Sequence, residues 1–316
     1  MTAIRLTADI LIGPTASGKS AIAQWIAEKT RGRTIISADS MAVYRALDIG
    51  TAKPDAGDRR LVRYFGIDQA APDQPWSAGA YLEALRGEVA AAPQAFSARP
   101  LVVGGTGLYV QALTEGLDAQ APANPDKRRE AEELLAASGL ATLQAATRAL
   151  APAEYAKIRD PENPRRVVRA YELFSAGLPW PVATDRPKPA LVGIRRDPED
   201  LLQRIEQRVR RMFAGGLVDE ARRLREQNVT LSDTARHAIG YEEAFALLDG
   251  KLSEDAAIDR TILRTRQYAK RQLTWFRHQA NVLWVDLGPD DSMPRMAGLV
   301  EAAFRHVGAQ ALRGLE

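Results

Sequence analysis

Residues 10–20 of the chain are Ile10-Leu11-Ile12-Gly13-Pro14-Thr15-Ala16-Ser17-Gly18-Lys19-Ser20. An apolar run of strand length leads into a loop of the pattern G-x-x-x-x-G-K-S, and residues 21–29 then have the apolar spacing of a helix. Glycines in such a loop let backbone amides converge on phosphate oxygens, and the positive end of the following helix adds to the attraction. We therefore predict a phosphate-binding loop made of Gly13, Pro14, Thr15, Ala16, Ser17, Gly18, Lys19 and Ser20. Within it, Lys19 supplies a point charge and the Ser20 hydroxyl is a ligand for Mg²⁺.

Strand-like and helix-like stretches alternate on the C-terminal side of this loop. The stretch from Thr34 to Ile36 is strand-like, Tyr81 to Ala92 is helical, and Pro100 to Gly105 is a buried strand that enters a glycine turn. Such alternation predicts β-α-β units and a parallel sheet. The loop alone does not distinguish ATP, another nucleotide and a prenyl diphosphate, because all three present the same anion.

The pattern changes at Asn124, where long Ala- and Glu-rich helical stretches begin, including Asp126 to Ser138 and Leu140 to Leu150. No strand signal occurs before Leu191. We predict an α/β fold in which a P-loop NTPase-like parallel sheet carries an inserted all-helical domain. The predicted bounds are 1–122 for the first core segment, 123–187 for the insertion and 188–316 for the second core segment.

Prolines and strand signals mark the return to the core. The prolines that form a stiff connector are Pro179, Pro181, Pro187 and Pro189. Leu191 to Ile194 is then a predicted core strand, and Asp197 is placed to cap the next helix. The last third is predicted to be helical up to a final strand at Val282 to Asp286.

The composition limits the classes of function. The 43 Lys and Arg residues against 40 Asp and Glu give a net charge of only +3, so an anionic partner must meet a local basic face. With no cysteine and three scattered histidines, disulfides and cysteine zinc sites are excluded, and any metal is expected to have oxygen ligands. No apolar run approaches about 20 residues, and the N-terminal one is too short for a signal peptide. We expect a cytoplasmic protein that does not enter a membrane.

Two polar residues follow predicted strands, at the sheet edge where α/β proteins place their chemistry. Asp39 follows the strand that ends at Ile36, although an Asp-Ser pair at this position is more often a helix N-cap. Thr106 stands in the glycine turn Gly104 to Gly107, where it either lies beside a substrate or caps the next helix, or does both.

An ordered set of motifs resembles the tRNA dimethylallyltransferase family from Ile10 to about Arg277. Besides the loop, the matching stretches are Ser37-Ala-Asp-Ser-Met-Ala-Val-Tyr-Arg45, Asp48-Ile-Gly-Thr-Ala-Lys-Pro54, Leu101-Val-Val-Gly-Gly-Thr-Gly-Leu-Tyr109, Asn163-Pro-Arg-Arg-Val-Val-Arg-Ala-Tyr-Glu172, Ala238-Ile-Gly-Tyr-Glu242 and Thr265-Arg-Gln-Tyr-Ala-Lys-Arg-Gln-Leu-Thr-Trp-Phe-Arg277. The resemblance implies transfer of the dimethylallyl (isopentenyl) group from dimethylallyl diphosphate to the exocyclic amine of the adenine 3′ of the anticodon in tRNA. It also implies Mg²⁺ as cofactor and release of diphosphate.

The resemblance assigns roles to individual residues. Asp39 accepts the amine proton, Thr106 lies beside the reacting adenine, and Arg208 approaches the diphosphate, although Arg208 alone would pass for a solvated arginine. The residues implied to contact tRNA, from both the core and the insertion, are Asp39, Ser40, Met41, Ala42, Thr106, Arg128, Arg165, Arg166, Val167, Val168, Arg169, Arg236, His237, Ala238, Ile239, Gly240 and Tyr241. We expect a monomer. The basic stretch from Arg260 to His278 is a further candidate for RNA contact, although such a helix is more often an ordinary solvated face, and its aromatic residues Trp275 and Phe276 are interpreted as structural.

The chain departs from the family pattern at three places, which affect flanking contacts and not the residues assigned to the chemistry. Ala42 replaces a frequent Gln, Arg63 to Asp68 replaces a His-His-Leu-Ile-Asp run, and Trp76-Ser77 replaces Tyr-Ser. Two other classes of function are compatible with the loop: an ATP-dependent small-molecule kinase, and a non-catalytic RNA-binding protein that uses the loop as a switch. The absence of a clear Walker-B run weighs against the kinase, and Asp39 has no use in the switch.

Overall fold

The computed structural model describes residues 6–30, 32–117, 124–181 and 188–316. The chain divides into two compact units, the first made of Met1–Gly116 and Lys188–Glu316 and the second of Leu117–Pro187. The predicted boundary at 122/123 lies outside the described ranges, as does residue 187 of the boundary at 187/188, which is also Pro187 of the predicted connector.

A seven-stranded sheet forms the centre of the first unit. Its strands are β1 (Thr7–Ile12), β2 (Ile35–Ala38), β3 (Tyr64–Phe65), β4 (Leu101–Gly104), β5 (Ala190–Arg196), β6 (Asn281–Leu287) and β7 (Gln310–Ala311). The first six lie in the order β3-β2-β4-β1-β5-β6 and pair in parallel, while β7 pairs antiparallel with β1. The predicted α/β class with a P-loop-type parallel sheet is confirmed.

Helices connect the strands and make up the second unit. They are α1 (Lys19–Lys29), α2 (Ala56–Leu61), α3 (Ala78–Ala91), α4 (Gly107–Glu115), α5 (Pro125–Leu150), α6 (Pro152–Tyr155), α7 (Pro164–Ser175), α8 (Pro198–Ala214), α9 (Leu217–Glu226), α10 (Tyr241–Leu248), α11 (Glu254–Gln279) and α12 (Met293–Val307). Asp197 caps α8 as predicted, because its side chain accepts a hydrogen bond from the Glu199 amide at 2.8 Å. Gly139, with φ at 79°, breaks α5 between the two helical stretches that the sequence predicts.

Both faces of the sheet are covered, which explains the unbroken apolar run in β1. Ile10 and Ile12 belong to the core on one face, where α3, α4, α8 and α11 pack, and Leu11 belongs to the core on the other, where α1 and α12 pack. A strand buried on both faces has no need of polar alternation.

In residues 124–181 of the second unit, the regular secondary structure is all helical. Its helices enclose two small apolar clusters. One contains Ala131, Leu143, Val167 and Val168, and the other contains Tyr155, Ile158, Ala170, Leu173 and Phe174.

Candidate active site

Three loops meet at one edge of the first unit's sheet. The strands β2, β4 and β1 are neighbours and run parallel, and Gly104 is in register with both Ile12 and Ala38. The residues that follow these strand ends therefore lie side by side, as expected for the carboxyl edge of an α/β sheet. These residues form the phosphate-binding loop after β1, the turn with Thr106 after β4 and the turn with Asp39 after β2.

The phosphate-binding loop has a backbone shape suited to wrap around an anion. Ala16 and Gly18 have positive φ values of 64° and 94°, and the buried Lys19 donates through Nζ to the Pro14 carbonyl at 3.3 Å. Burial lowers the pKa of the Lys19 ammonium to about 8; Asp39 opposes this shift and Arg208 adds to it. An anion bound in the loop would stabilise the charged form of Lys19.

Two arginines, one at the end of β5 and one on α8, hold the loop from outside. The Arg204 Nε donates to the Ala16 carbonyl at 2.9 Å, and the Arg196 Nε donates to the Ser17 carbonyl at 2.7 Å. Arg196 is itself buried and paired with Asp200 at 2.8 Å. Carbonyls held in this way cannot turn toward a phosphate. Neither arginine could be predicted as a site residue from the sequence, because their partners are about 180 residues away in the chain.

Asp39 follows β2 directly and is half-buried. Its Oδ1 accepts a hydrogen bond from the Met41 amide at 2.9 Å, and residues 40–46 form turns in place of a helix. The helix N-cap alternative is therefore wrong, and the side chain instead closes a short turn. The second carboxylate oxygen accepts no hydrogen bond from the described residues, so it is available to a substrate.

Thr106 occupies the position before α4, but its side chain makes no capping hydrogen bond. The Thr106 Oγ1 instead accepts from the Ser40 amide at 3.0 Å and lies 3.3 Å from the Ser40 hydroxyl. The Thr106 amide donates to the Ala38 carbonyl at 3.2 Å. Thr106 thus joins the turn after β4 to the segment that carries Asp39.

Arg208 lies on α8, one turn after Arg204, and is half-buried. Burial lowers the pKa of its guanidinium, while the Asp39 carboxylate opposes that effect and Arg211 adds to it. The structure therefore brings Arg208 near Asp39, and Asp39 near Lys19. This cationic environment next to a carboxylate suits a diphosphate and a proton acceptor that work in one site.

The predicted tRNA-contacting residues of the first unit differ in exposure. Arg236 and His237 are exposed, Ser40, Met41 and Ile239 are half-buried, and Ala42, Ala238, Gly240 and Tyr241 are buried. The Tyr241 hydroxyl donates to the buried carboxylate of Glu220, which also accepts from the amides of Asp48 and Ile49 at 3.1 to 3.2 Å. The Tyr241 side chain therefore supports the fold, and the outer surface of this segment consists of Arg236 and His237.

The predicted contacts of the second unit lie on two helices. On α7, Arg165 and Arg166 are exposed, Arg169 pairs with Glu172 at 2.8 Å, and Val167 and Val168 belong to the unit's apolar core. Arg166 forms no ion pair with any described residue. On α5, Arg128 makes an exposed pair with Glu132 at 2.9 Å.

The segment that departs from the family pattern forms an ionic cluster. Asp68 accepts from Lys53 at 2.6 Å and from Arg59 at 2.6 Å, and Lys53 also pairs with Asp48 at 2.7 Å. Although burial works to raise it, hydrogen bonds from Lys53 and Arg59 hold the pKa of Asp68 below its ordinary value. These ion pairs connect the chain at Asp48 to the segment after β3.

Two further properties concern the residues that the structure describes. No three or more His, Cys, Asp or Glu side chains gather there as a metal-binding group. None of the helices there combines the length and apolar character needed to cross a bilayer.

Comparison with known proteins gives consistent results. The family model described as IPP transferase matches residues 42–279. A tRNA dimethylallyltransferase from Geobacter metallireducens is 40% identical over 285 residues, which cover 88% of this chain and 91% of that protein. The crystal structure of a full-length tRNA isopentenylpyrophosphate transferase from Bacillus halodurans is 33% identical, has a TM-score of 0.63, and covers 94% of this chain and 97% of that one. A tRNA isopentenylpyrophosphate transferase from Staphylococcus epidermidis is 29% identical with a TM-score of 0.62, over 95% of this chain and all of that one.

The predicted family resemblance is confirmed, since both the family model and the relatives extend over most of the chain. This chain belongs to the IPP transferase family.

Proposed function

We propose that this protein transfers the dimethylallyl group from dimethylallyl diphosphate to the exocyclic amine of the adenine 3′ of the anticodon in tRNA and releases diphosphate. The observation that carries the proposal is the meeting of a phosphate-binding loop with the Asp39 carboxylate, one oxygen of which is unengaged by the described residues. The relatives named tRNA dimethylallyltransferase support the same reaction.

The donor end of the site stabilises the leaving group. An allylic diphosphate ionises readily when the negative charge on its departing oxygens is compensated. The loop amides, the Lys19 ammonium and the Arg208 guanidinium supply that compensation from α1 and α8. Because Arg196 and Arg204 fix the loop carbonyls, little reorganisation is needed when the charge develops.

The acceptor end removes a proton from the amine. An adenine amine is a weak nucleophile, and its nitrogen becomes cationic as the new C–N bond forms. The free oxygen of Asp39 accepts the proton, and Thr106, which is hydrogen-bonded to Ser40, lies beside the adenine. The base must leave the stack of the anticodon loop to reach these groups.

The protein's oxygen ligands at the loop fit a Mg²⁺ ion that is held mainly by the substrate. Mg²⁺ takes oxygen ligands and keeps several waters, and commonly uses only one or two protein groups beside phosphate oxygens. Ser20 offers an exposed hydroxyl at the start of α1, directly after Lys19. When bound, the ion would neutralise charge on the diphosphate.

The tRNA backbone is expected to contact the exposed basic residues Arg165, Arg166 and Arg236, together with Arg128 and Arg169. Such contacts with phosphates are nonspecific in sequence and position the RNA. We propose a monomer that works in the cytoplasm.

The family match favours this reaction over the kinase alternative, which shares only the loop. A thermal-shift experiment separates the two in one titration, because a ligand that binds the folded state raises the Tm by mass action. With Mg²⁺ present, dimethylallyl diphosphate should raise the Tm at lower concentration than ATP. A large shift with ATP and none with the prenyl diphosphate would favour the kinase.

A further inference from the structure

One buried side chain links the two ends of the site. Gln272 lies on α11, and its Oε1 accepts a hydrogen bond from the Thr15 amide at 2.8 Å while its Nε2 donates to the Gly105 carbonyl at 3.0 Å. These partners are 257 and 167 residues away in the chain. The orientation of the amide follows from the partners, because an N–H must meet the oxygen and a carbonyl must meet the nitrogen.

Both partners belong to elements that hold substrate in the proposed reaction. Thr15 is part of the phosphate-binding loop, and Gly105 immediately precedes Thr106, which is bonded to the segment of Asp39. Gln272 therefore sets the spacing between the donor site and the acceptor site. Its hydrogen bond also turns the Thr15 amide toward α11, so that amide is not one of those that face the anion.

The residues around Gln272 pack closely against its side-chain amide. A Cβ atom at Gly105 would lie 2.1 Å from the Gln272 Nε2, so a larger residue at position 105 would displace the Gln272 amide from its hydrogen bonds. Gln272 is only 5% exposed, and no water needs to be placed between it and its partners.

Other side chains of similar length cannot make the same two hydrogen bonds. Methionine has a similar length but leaves the Thr15 amide and the Gly105 carbonyl unpaired, and a buried unpaired group is costly. An ionised glutamate would accept from Thr15 but has no hydrogen to give to Gly105.

We propose that Gln272 is a positioning residue for prenyl transfer, which fixes the distance between the phosphate-binding loop and the Thr106 turn. The proposal rests on the proposed function, since the two elements need a fixed spacing only if two substrates must meet between them. Misplacement of reacting atoms by about 1 Å can reduce a rate by roughly 10²-fold.

The test compares Gln272→Met and Gln272→Glu with two matched variants on the same helix. Ile262→Ala truncates a buried residue of α11 and reports the effect of lost stability alone, and Gln267→Glu adds the same charge at an exposed glutamine. Single-turnover transfer is measured at saturating dimethylallyl diphosphate and tRNA, below the Tm of every variant. The Kd of each substrate is measured separately.

We expect both Gln272 variants to bind tRNA with a Kd within about twofold of the unmodified protein and to transfer the prenyl group roughly 10²-fold more slowly. The two control variants should transfer at the unmodified rate. The proposal is overturned if Gln272→Met transfers at the unmodified rate, or if Ile262→Ala is slowed as much as Gln272→Met. If the unmodified protein transfers no prenyl group at all, it is the proposed function that fails.

Discussion

In the proposed reaction, Asp39 is the residue that takes up the proton of the acceptor amine. Replacing it with alanine should lower the rate of the chemical step by roughly 10²- to 10⁴-fold, the usual contribution of a general base, with little change in tRNA affinity. Single-turnover kinetics at saturating substrates measure that rate.

The control for Asp39→Ala is Asp39→Asn, which keeps an oxygen to accept from the Met41 amide and so preserves the turn. It removes only the ability to take up a proton. We expect Asp39→Asn to be nearly as slow as Asp39→Ala. Should Asp39→Asn transfer at the unmodified rate, Asp39 would be a turn residue with no part in proton transfer.

For single residues, the sequence predicts the position of a functional side chain better than it predicts which residues that side chain contacts. Asp39 and Thr106 were placed at strand ends because a strand followed by a polar residue is a local pattern. The bond between Thr106 and Ser40 spans 66 residues, so no local pattern indicates it. Gln272 stands inside a quoted family motif, yet only the approach of α11 to the loop reveals what its amide does.

Among the elements, α9, α10 and the chain at Asp48 to Gly50 meet at the buried Glu220 carboxylate, which accepts a hydrogen bond from Tyr241 as well as from the amides of Asp48 and Ile49. Tyr241→Phe removes the donor to Glu220 but keeps the ring that packs against Gly50. We expect the free energy of unfolding to fall by about 1 to 2 kcal/mol, because a buried carboxylate loses one of its donors. Urea denaturation measures the change. An unaltered midpoint would mean that the amides of Asp48 and Ile49 satisfy Glu220 without the tyrosine.

Asp68, in the segment after β3, should make the free energy of unfolding depend on pH in the acidic range. The pKa of Asp68 is held below its ordinary value in the folded protein, so its ionised form contributes stability that is fully present above the unfolded pKa. That contribution is lost as the pH falls through the lower, folded pKa. We expect Asp68→Asn to be less stable than the unmodified protein at neutral pH, and the difference to shrink toward pH 3.

The comparison uses the denaturation midpoints of the unmodified protein and of Asp68→Asn, measured between neutral pH and pH 3. Asp73→Asn, at an exposed position nearby, is the matched control and should follow the unmodified protein. A difference that stays constant with pH would show that Asp68 acts through packing and not through its charge.

In the whole molecule, the arginines should divide into two sets. Arg208 lies in the first unit near Asp39, and Arg166 lies on α7 of the second unit without an ion pair to any described residue. Arg208→Ala should reduce turnover and leave the salt dependence of tRNA binding intact. Arg166→Ala should weaken tRNA binding and reduce the log-log salt slope by about 0.7 to 0.9 for one lost phosphate contact.

The measurement is tRNA affinity across a salt series for both variants, with single-turnover rates alongside. Turnover of Arg166→Ala at saturating tRNA should largely survive. If Arg208→Ala flattens the salt slope while Arg166→Ala leaves it unchanged, the two assignments are reversed.

The fold of the first unit could be predicted because its strands are continuous apolar runs and its loop has a physical signature. Strands β3 and β7 were missed, since two residues carry no periodicity. Two-residue strands depend on their neighbours in the sheet, which are distant in the chain.

The transfer reaction itself is the most direct test of the proposed function. The protein is incubated with tRNA, Mg²⁺ and dimethylallyl diphosphate labelled in the prenyl group, and in parallel with ATP labelled in the γ-phosphate. Nuclease digestion then locates the label. We expect the prenyl label on the adenine 3′ of the anticodon, with diphosphate released and no phosphate transferred from ATP. Transfer of labelled phosphate to any acceptor, with no prenyl group on tRNA, would contradict it.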